Sequence, residues 1–275
     1  MTVLYEIIRG VKEDLQKRKF LVSHEEMVIR ADQAPLALDV LLHLNSETFG
    51  VIAEVKRSSP SKGVLAEISD PATLALAYQA GGAAAVSVLT EERRFKGSLE
   101  DLAAVRAAVS IPILRKEFIV DDYQIFEARA YGADITLLIV AALTDDEILS
   151  FTEITHSLGM GTLVEIHDDD ELARVVHLMQ ARALTVDLLG INARNLKTLG
   201  VNPQTFSTLA AKAPAGATLI AESGISSADE VGALVAKGAC GILVGEALVK
   251  DGQPAQRIQD FLNRAQVERV RRLEP

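Results

Sequence analysis

The sequence predicts an α/β fold: a (β/α)8 barrel with an N-terminal helical extension. Two observations carry that reading. Eight short apolar runs recur from Val51 onward, at 51–55, 84–89, 112–114, 134–140, 162–166, 186–191, 218–221 and 241–244. The segments between them carry helical spacing with start and stop signals. Buried strands alternating with helices imply a parallel sheet covered by helices. Eight such units favour closure into a barrel over the alternative, an open doubly wound sheet. The 275 residues suit one barrel, and the chain reads as a single domain over 1–275.

Residues 1–48 precede the first strand. Leu4, Ile7, Ile8, Val11 and Leu15 fall on one helical face, and Leu38, Leu41 and Leu42 suggest a second helix. Such an extension either covers the barrel mouth or plugs its bottom. Further along, Asp70-Pro71 opens a helix carrying Leu74 and Tyr78, and Ser98 opens one carrying Leu102 and Val105. Thr144 followed by Glu147 is a capping box. Ser226 or Ser227 starts the helix of Val231 and Leu234. Gly81-Gly82, Gly132 and Gly238 stand after a helix and before a strand, where a left-handed C-cap is expected. No linker or low-complexity segment interrupts the pattern.

The net charge is −10, from 28 basic and 38 acidic residues. That argues against nucleic acid or an anionic membrane as a partner, but leaves an anionic small substrate open, because a cleft sees its local charges. No apolar run reaches membrane-spanning length, and the start lacks the form of a signal peptide. The single Cys240 lies in an apolar run and reads as a small core residue in a reducing, cytoplasmic setting. The histidines, His24, His43, His156, His167 and His177, fall away from the strand-end residues discussed next. No metal-ligand spacing is present, so no metal is expected.

The stretch Glu54-Val55-Lys56-Arg57-Ser58-Ser59-Pro60-Ser61-Lys62-Gly63 is the most informative. Glu54 and Lys56, at i and i+2, share a strand face, and Ser58 joins them if the strand continues. A buried acid and ammonium together are costly to desolvate, which points to chemistry; an ordinary strand-end ion pair is the plainer alternative. Polar residues end the other strands too: Lys116 after strand three, Glu165 after five, Asn192 and Arg194 after six, Glu222 and Ser223 after seven, Gly245 and Glu246 after eight. Barrel sites lie at that rim. The loops with Ser223-Gly224 and Gly245-Glu246 follow strands seven and eight, the usual place for a phosphate, where glycine permits close backbone approach.

The Glu54–Gly63 stretch resembles the signature of the indole-3-glycerol phosphate synthase family. So do Leu114-Arg115-Lys116-Glu117-Phe118, Leu163-Val164-Glu165, Gly190-Ile191-Asn192-Ala193-Arg194-Asn195-Leu196, Ala221-Glu222-Ser223-Gly224-Ile225 and Leu243-Val244-Gly245-Glu246-Ala247-Leu248, in order. The resemblance spans nearly the whole chain and is weakest before Phe49. It implies the barrel, an extension helping to cover the mouth, and a cofactor-free carbon–carbon lyase with no fused partner enzyme. The implied substrate is a phosphorylated aryl-amino sugar, 1-(2-carboxyphenylamino)-1-deoxyribulose 5-phosphate. By the same resemblance Lys116 is the acid that promotes ring closure, and Glu165 is the base that completes dehydration. Lys56 holds the carboxylate or phosphate and serves as the dehydration acid, and Glu54 couples to the lysines. Asn192 and Glu222 fix substrate hydroxyls, while Ser58, Arg194, Ser223, Gly224, Gly245 and Glu246 serve substrate or phosphate binding. A lysine acid of this kind calls for a lowered pKa. The family usually has Asn where this chain has Ala193, which alternation turns away from its neighbours. Other readings of strand-end lysines and phosphate loops are a Schiff-base aldolase, the sister isomerase of the same pathway, which wants a Cys at the end of strand one, and a catalytically silent scaffold.

Overall fold

The computed structural model describes residues 2–45, 48–59, 63–64, 68–196 and 198–273. Of the first motif, Pro60, Ser61 and Lys62 lie outside the described residues. Eight parallel strands close into a barrel: β1 (Gly50–Val55), β2 (Ala85–Leu89), β3 (Ile113–Lys116), β4 (Ile135–Ile139), β5 (Gly161–Ile166), β6 (Leu188–Asn192), β7 (Leu219–Glu222) and β8 (Gly241–Val244), each beside its neighbour in sequence, with β8 paired to β1. Each strand lies within two residues of its expected run at either end, and β8 matches it.

Side-chain alternation splits the apolar core into two layers. Ile52, Leu114, Leu163, Leu188, Ile220 and Leu243 belong to a cluster inside the barrel. Val51, Ala53, Val55, Ile113, Val164 and Ile242 belong to the larger cluster beneath the helices. Extending the inner alternation by two residues gives Glu54, Lys116, Glu165, Glu222 and Gly245. The side that builds the inner core therefore delivers the polar groups at the C-terminal rim. The residue beside Lys116 shows the opposite face: Arg115 is fully buried outward, donating to Thr90 Oγ1 (3.1 Å), the Gln124 carbonyl (2.8 Å) and Glu127 (2.8 Å).

The helices begin where their caps predict. Asp70, Ser98, Thr144 and Ser227 cap α3 (Pro71–Ala80), α4 (Leu99–Ala108), α6 (Asp145–Ser157) and α9 (Ala228–Ala236), the last two through capping boxes. Between them lie α5 (Tyr123–Ala130), α7 (Asp169–Gln180) and α8 (Thr205–Ala210), followed by α10 (Glu246–Val249) and α11 (Pro254–Leu273). Gly82, Gly132 and Gly238 take the expected positive φ.

The N-terminal extension does both things the sequence left open. Helix α1 (Val3–Leu21) lies at the mouth, where Leu4, Ile7 and Val11 join the inner cluster. Ion pairs pin it: Arg18 to Glu127 (2.8 Å), Lys19 to Asp121 (2.6 Å), Glu13 to Arg93 (2.8 Å) and Glu6 to Arg94 (2.9 Å). The expected second helix at Leu38–Leu42 is not there. Instead α2 (His24–Asp32), capped by Ser23, precedes it and packs on α5. The later leucines hold only a 3-10 turn, Val40–Leu42, with Leu42 exposed. The buried residues of this stretch are Val40 and Leu44, which plug the barrel bottom. Leu44 occupies space left by Gly50 and Gly241, and Val40 abuts Gly161. Those glycines open β1, β8 and β5.

Candidate active site

A cleft of about 600 Å³ opens at the C-terminal rim. Lys116, at the end of β3, stands at its centre: Nζ lies 2.6 Å from Glu165 Oε2 and 2.7 Å from Glu222 Oε2. Both carboxylates are 2 % exposed. Glu54 and Lys56, one on each side of Val55, form an ion pair in the same cleft. The Glu54 carbonyl accepts from the Tyr78 hydroxyl (3.1 Å), which fixes the end of β1 from outside.

The cluster is richer than the sequence reading. His167 follows β5 two residues after Glu165, with Nε2 3.2 Å from Glu165 Oε1 and Nδ1 3.1 Å from Glu171 Oε2. The expectation that all five histidines stand away from the rim residues fails here. The signal was available: Glu165 and His167 are i and i+2, the same alternation that flagged Glu54 and Lys56.

Three basic side chains, Lys56, Lys116 and His167, thus meet four carboxyl groups, Glu54, Glu165, Glu171 and Glu222. The surplus proton falls on Glu222. Burial, reinforced by Glu165 and opposed by Lys116, pushes its pKa up to about 8. Burial also opposes charge on Glu165, but Lys116 and His167 outweigh it and hold Glu165 well below the usual carboxylate range. For Lys116 burial works to lower the pKa, yet Glu165, Glu222 and Glu54 raise it above the ordinary lysine value. The lowered lysine pKa called for by the sequence reading is therefore absent: the lysine has the burial, but three acids reverse its effect.

An apolar wall runs beside the charges. Phe95 and Phe118 approach with ring centroids 6.1 Å apart, and Leu137, Ile139 and Leu243 line the cleft with them. From α1, Val3, Leu4 and Ile7 face the same space.

At the far end, Ser223, Gly224, Gly245 and Glu246 all line the cleft, as does Arg194. Ser223 and Gly224 are consecutive left-handed residues (φ 67° and 77°). A Cβ at Gly224 would also lie 2.8 Å from Val201 Cγ1, so this turn needs glycine twice over. The start of α9 is already satisfied by Glu230, which accepts from the Ser226 and Ser227 N–H groups (2.7 and 3.0 Å). The N–H groups of Gly224 and Ile225 have no hydrogen-bond partner among the described residues. Lys250 and Arg257 line this end as well; no strand-end argument could reach them, since both follow β8 by several residues.

Asn192 reaches the cleft and accepts the Arg194 N–H at 3.0 Å, and the Arg194 guanidinium donates to the Leu199 carbonyl at 3.1 Å. Ala193 between them is buried and donates its N–H to the Glu222 carbonyl (2.9 Å). Ser58 stands apart from the others. Strand β1 ends at Val55, and the Ser58 hydroxyl donates to the Gly63 carbonyl (3.0 Å) where Ser58–Ser59 pairs antiparallel with Gly63–Val64. Arg57 likewise serves the loop, pairing with Asp101 at the start of α4 (3.0 Å to Oδ1).

A family model for indole-3-glycerol phosphate synthase matches residues 4–261. The chain belongs to the indole-3-glycerol phosphate synthase family. Among curated proteins of that name, the one from Paenarthrobacter aurescens is 52% identical over 266 residues, covering 95% of this chain and 96% of that protein. The one from Rhodococcus jostii is 52% identical over 263 residues, covering 96% of each. Among solved structures, 3-hexulose-6-phosphate synthase from Salmonella typhimurium aligns with a TM-score of 0.63 at 17% identity, over 80% of this chain and 99% of that one. Thiamine phosphate pyrophosphorylase from Pyrococcus furiosus aligns at 0.58 and 15%, over 82% and 98%. These two share the barrel fold. Among the described residues, no helix is long and apolar enough to cross a membrane.

Proposed function

We propose that the chain, acting as one catalytic domain, is a carbon–carbon lyase. It closes the indole ring of 1-(2-carboxyphenylamino)-1-deoxyribulose 5-phosphate, releasing carbon dioxide and water. The observation that carries this reading is Lys116 held between Glu165 and Glu222 at the barrel mouth. An apolar wall suited to an aryl ring lies on one side, and a glycine-rich turn suited to a phosphate lies at the far end.

The aryl carbon bearing the carboxylate attacks the ketone carbon. As charge builds on the ketone oxygen, the Lys116 ammonium stabilises it and passes it a proton, giving a hydroxyl. A raised pKa keeps the lysine cationic for the electrostatic part of this role and makes it the weaker acid for the proton transfer itself. The site carries a fixed positive charge aimed at the developing oxyanion, with no reorganisation required. The carbon–carboxylate bond then breaks, carbon dioxide leaves, and its electron pair restores the aromatic ring. Glu165 removes a proton from the methylene carbon next to nitrogen, and the hydroxyl departs as water with a proton from Lys56. Two protons are given and one is taken, so the cycle draws one from solvent, matching the negative charge lost with the carboxylate. Glu222, a neutral acid 2.7 Å from Lys116, is placed to return the lysine's proton. Asn192 holds substrate hydroxyls. Arg194, Ser223, Gly224, Gly245 and Glu246 serve the phosphate end, and Ser58 supports them by shaping the loop after β1.

A Schiff-base nucleophile needs a neutral lysine, and the carboxylates around Lys116 favour the opposite, so borohydride with a sugar phosphate should trap no adduct. The deciding assay follows indole fluorescence when purified protein meets the anthranilate-derived ribulose phosphate. Product that appears with wild type and disappears with Lys116→Met supports the proposal. No product from wild type overturns it.

A further inference from the structure

His167 has no part in the reaction as written, yet it is built into the site with care. Glu165 ends β5 on the inner side, and alternation turns His167, two residues on, toward it. Its side chain is 6 % exposed. Nδ1 lies 3.1 Å from Glu171 Oε2, and the same oxygen accepts the His167 backbone N–H at 2.8 Å. Glu171 sits in the first turn of α7, where Asp168 caps the helix and accepts the Glu171 N–H. The imidazole is thereby braced from behind by a carboxylate that is itself anchored. In front, Nε2 lies 3.2 Å from Glu165 Oε1, within ion-pair reach but without hydrogen-bond alignment.

A neutral imidazole carries one N–H and one lone pair. Between two carboxylates it can satisfy only one. The imidazolium donates to Glu171 and sets its positive charge 3.2 Å from Glu165 Oε1, so the geometry selects the charged form. Glu165 is thus approached by cations on both of its oxygens: Lys116 at Oε2 and His167 at Oε1. The other charged groups around the pair are Glu171 from α7 behind the ring, and Glu222 from β7 and Glu54 from β1, which reach Glu165 across Lys116.

We propose that His167 is a positioning residue for Glu165: braced by Glu171 as an imidazolium, it holds the Glu165 carboxylate ionised and aimed, with one oxygen committed to the ring and the other left at Lys116. This rests on the reading of Glu165 as the base. The titration behaviour agrees with the geometry. Burial opposes charge on His167, but Glu165 and Glu171 prevail and raise its pKa to about 10. The consequence is that the base stays ready in its ionised form well into mildly acidic solution.

The test compares wild type with His167→Gln, His167→Leu and Glu171→Gln. His167→Gln keeps an amide donor without charge. Its acid limb in kcat/KM should move to higher pH by about 1–3 units, the usual effect of losing an opposite charge at this distance, while KM at the optimum changes little. His167→Leu should show the same shift and a larger loss of kcat, because aim is lost as well. A purely structural role would lower stability and leave the limb in place. Imidazole NMR supplies a readout independent of turnover. One of the five histidines should stay protonated through pH 8, vanish in both His167 variants and titrate lower in Glu171→Gln. If the position 167 variants fail to fold, Glu171→Gln decides through that titration. An unmoved acid limb, or the absence of any histidine protonated at pH 8, overturns the inference. Wild type that makes no indole product would sink the reading of Glu165 as base, while the titration would still report on the ion pairs.

Discussion

Gly245 lies directly against Glu54. A Cβ at position 245 would stand 3.0 Å from the Glu54 carbonyl oxygen, 3.1 Å from its Cβ and 3.2 Å from its Oε1. The register explains the contact: Ala53 pairs with Val244, so the next residues of β1 and β8 meet at the rim. The carbonyl cannot retreat easily, because Tyr78 holds it, and the carboxylate is committed to Lys56. From sequence alone Gly245 belongs to the phosphate end, and its replacement should act on KM. The contact adds a second effect. Gly245→Val should raise KM for the phosphorylated substrate and also lower kcat, by up to about 10²-fold if Glu54 shifts by an ångström. Steady-state kinetics with Gly245→Ala as the milder step would check this; an unchanged kcat in both variants would confine position 245 to phosphate binding.

Gly190 makes the corresponding space for Glu222. It pairs with Glu165 across β5 and β6, and a Cβ there would drive into Glu222 Oε1. Among the described residues that buried oxygen has no hydrogen-bond partner, and the missing side chain at Gly190 makes room for it. Gly190→Ala should push Glu222 away from Lys116 and cost most of the turnover while the barrel still folds. Glu222→Asp shortens the acid by one methylene. The double variant should recover part of the loss, since contacting residues couple by about 0.5–3 kcal/mol. A double variant no better than the product of the singles would mean that the Gly190 effect does not pass through Glu222.

Lys116→Met removes the acid of ring closure and should reduce turnover by about 10²–10⁴-fold or more. It also strips the cation from the buried Glu165 carboxylate and a hydrogen bond from Glu222. Leaving one member of a buried pair alone typically costs about 3–5 kcal/mol, so the variant should fold with a lowered Tm. The deficit should shrink in acid, where Glu165 takes up a proton and no longer needs the lysine. Turnover within a few-fold of wild type would remove Lys116 from the chemistry. A stability deficit that does not vary with pH would contradict the ionised state of Glu165.

The sequence displayed most of this site because the same alternation that builds the inner core places the polar residues. What it blurred has physical reasons. Apolar runs stop at the first polar residue, so the runs ending at Leu114, Ile191 and Ala221 stop short of Lys116, Asn192 and Glu222, which continue β3, β6 and β7 in the ladder. His167 repeats the Glu54–Lys56 spacing, but an isolated histidine gives no sign of which carboxylates fold around it. Glu171 is four residues further and reaches His167 only because α7 begins there. Leucine density at 38–42 points to a helix, whereas Val40 and Leu44 are buried for their fit against glycines that lie far away in sequence. The reversal of the lysine pKa argument was invisible for the same reason: Glu165 and Glu222 are 49 and 106 residues from Lys116.

The pH dependence of stability offers a test of the proton count. Glu222 has a folded pKa of about 8 against an ordinary 4.5. The folded state then keeps a proton that the unfolded chain gives up, so this contribution is complete below about pH 4.5 and is lost as pH rises through about 8. His167, raised from 6.5 to about 10, acts with the same sign: its contribution is complete below about pH 6.5 and is lost as pH rises through about 10. Together they should make Tm fall between neutral pH and pH 10. Glu222→Gln keeps the shape of the neutral acid and cannot ionise. Near pH 5 it should melt close to wild type; above pH 8 it should melt higher, because wild type alone must then bury a charge or hold a proton against solvent. The difference between the two curves isolates this one group from the other acids of the chain. Parallel curves from pH 5 to pH 10 would show that Glu222 is already ionised in the folded site, and the surplus proton would have to reside elsewhere in the cluster.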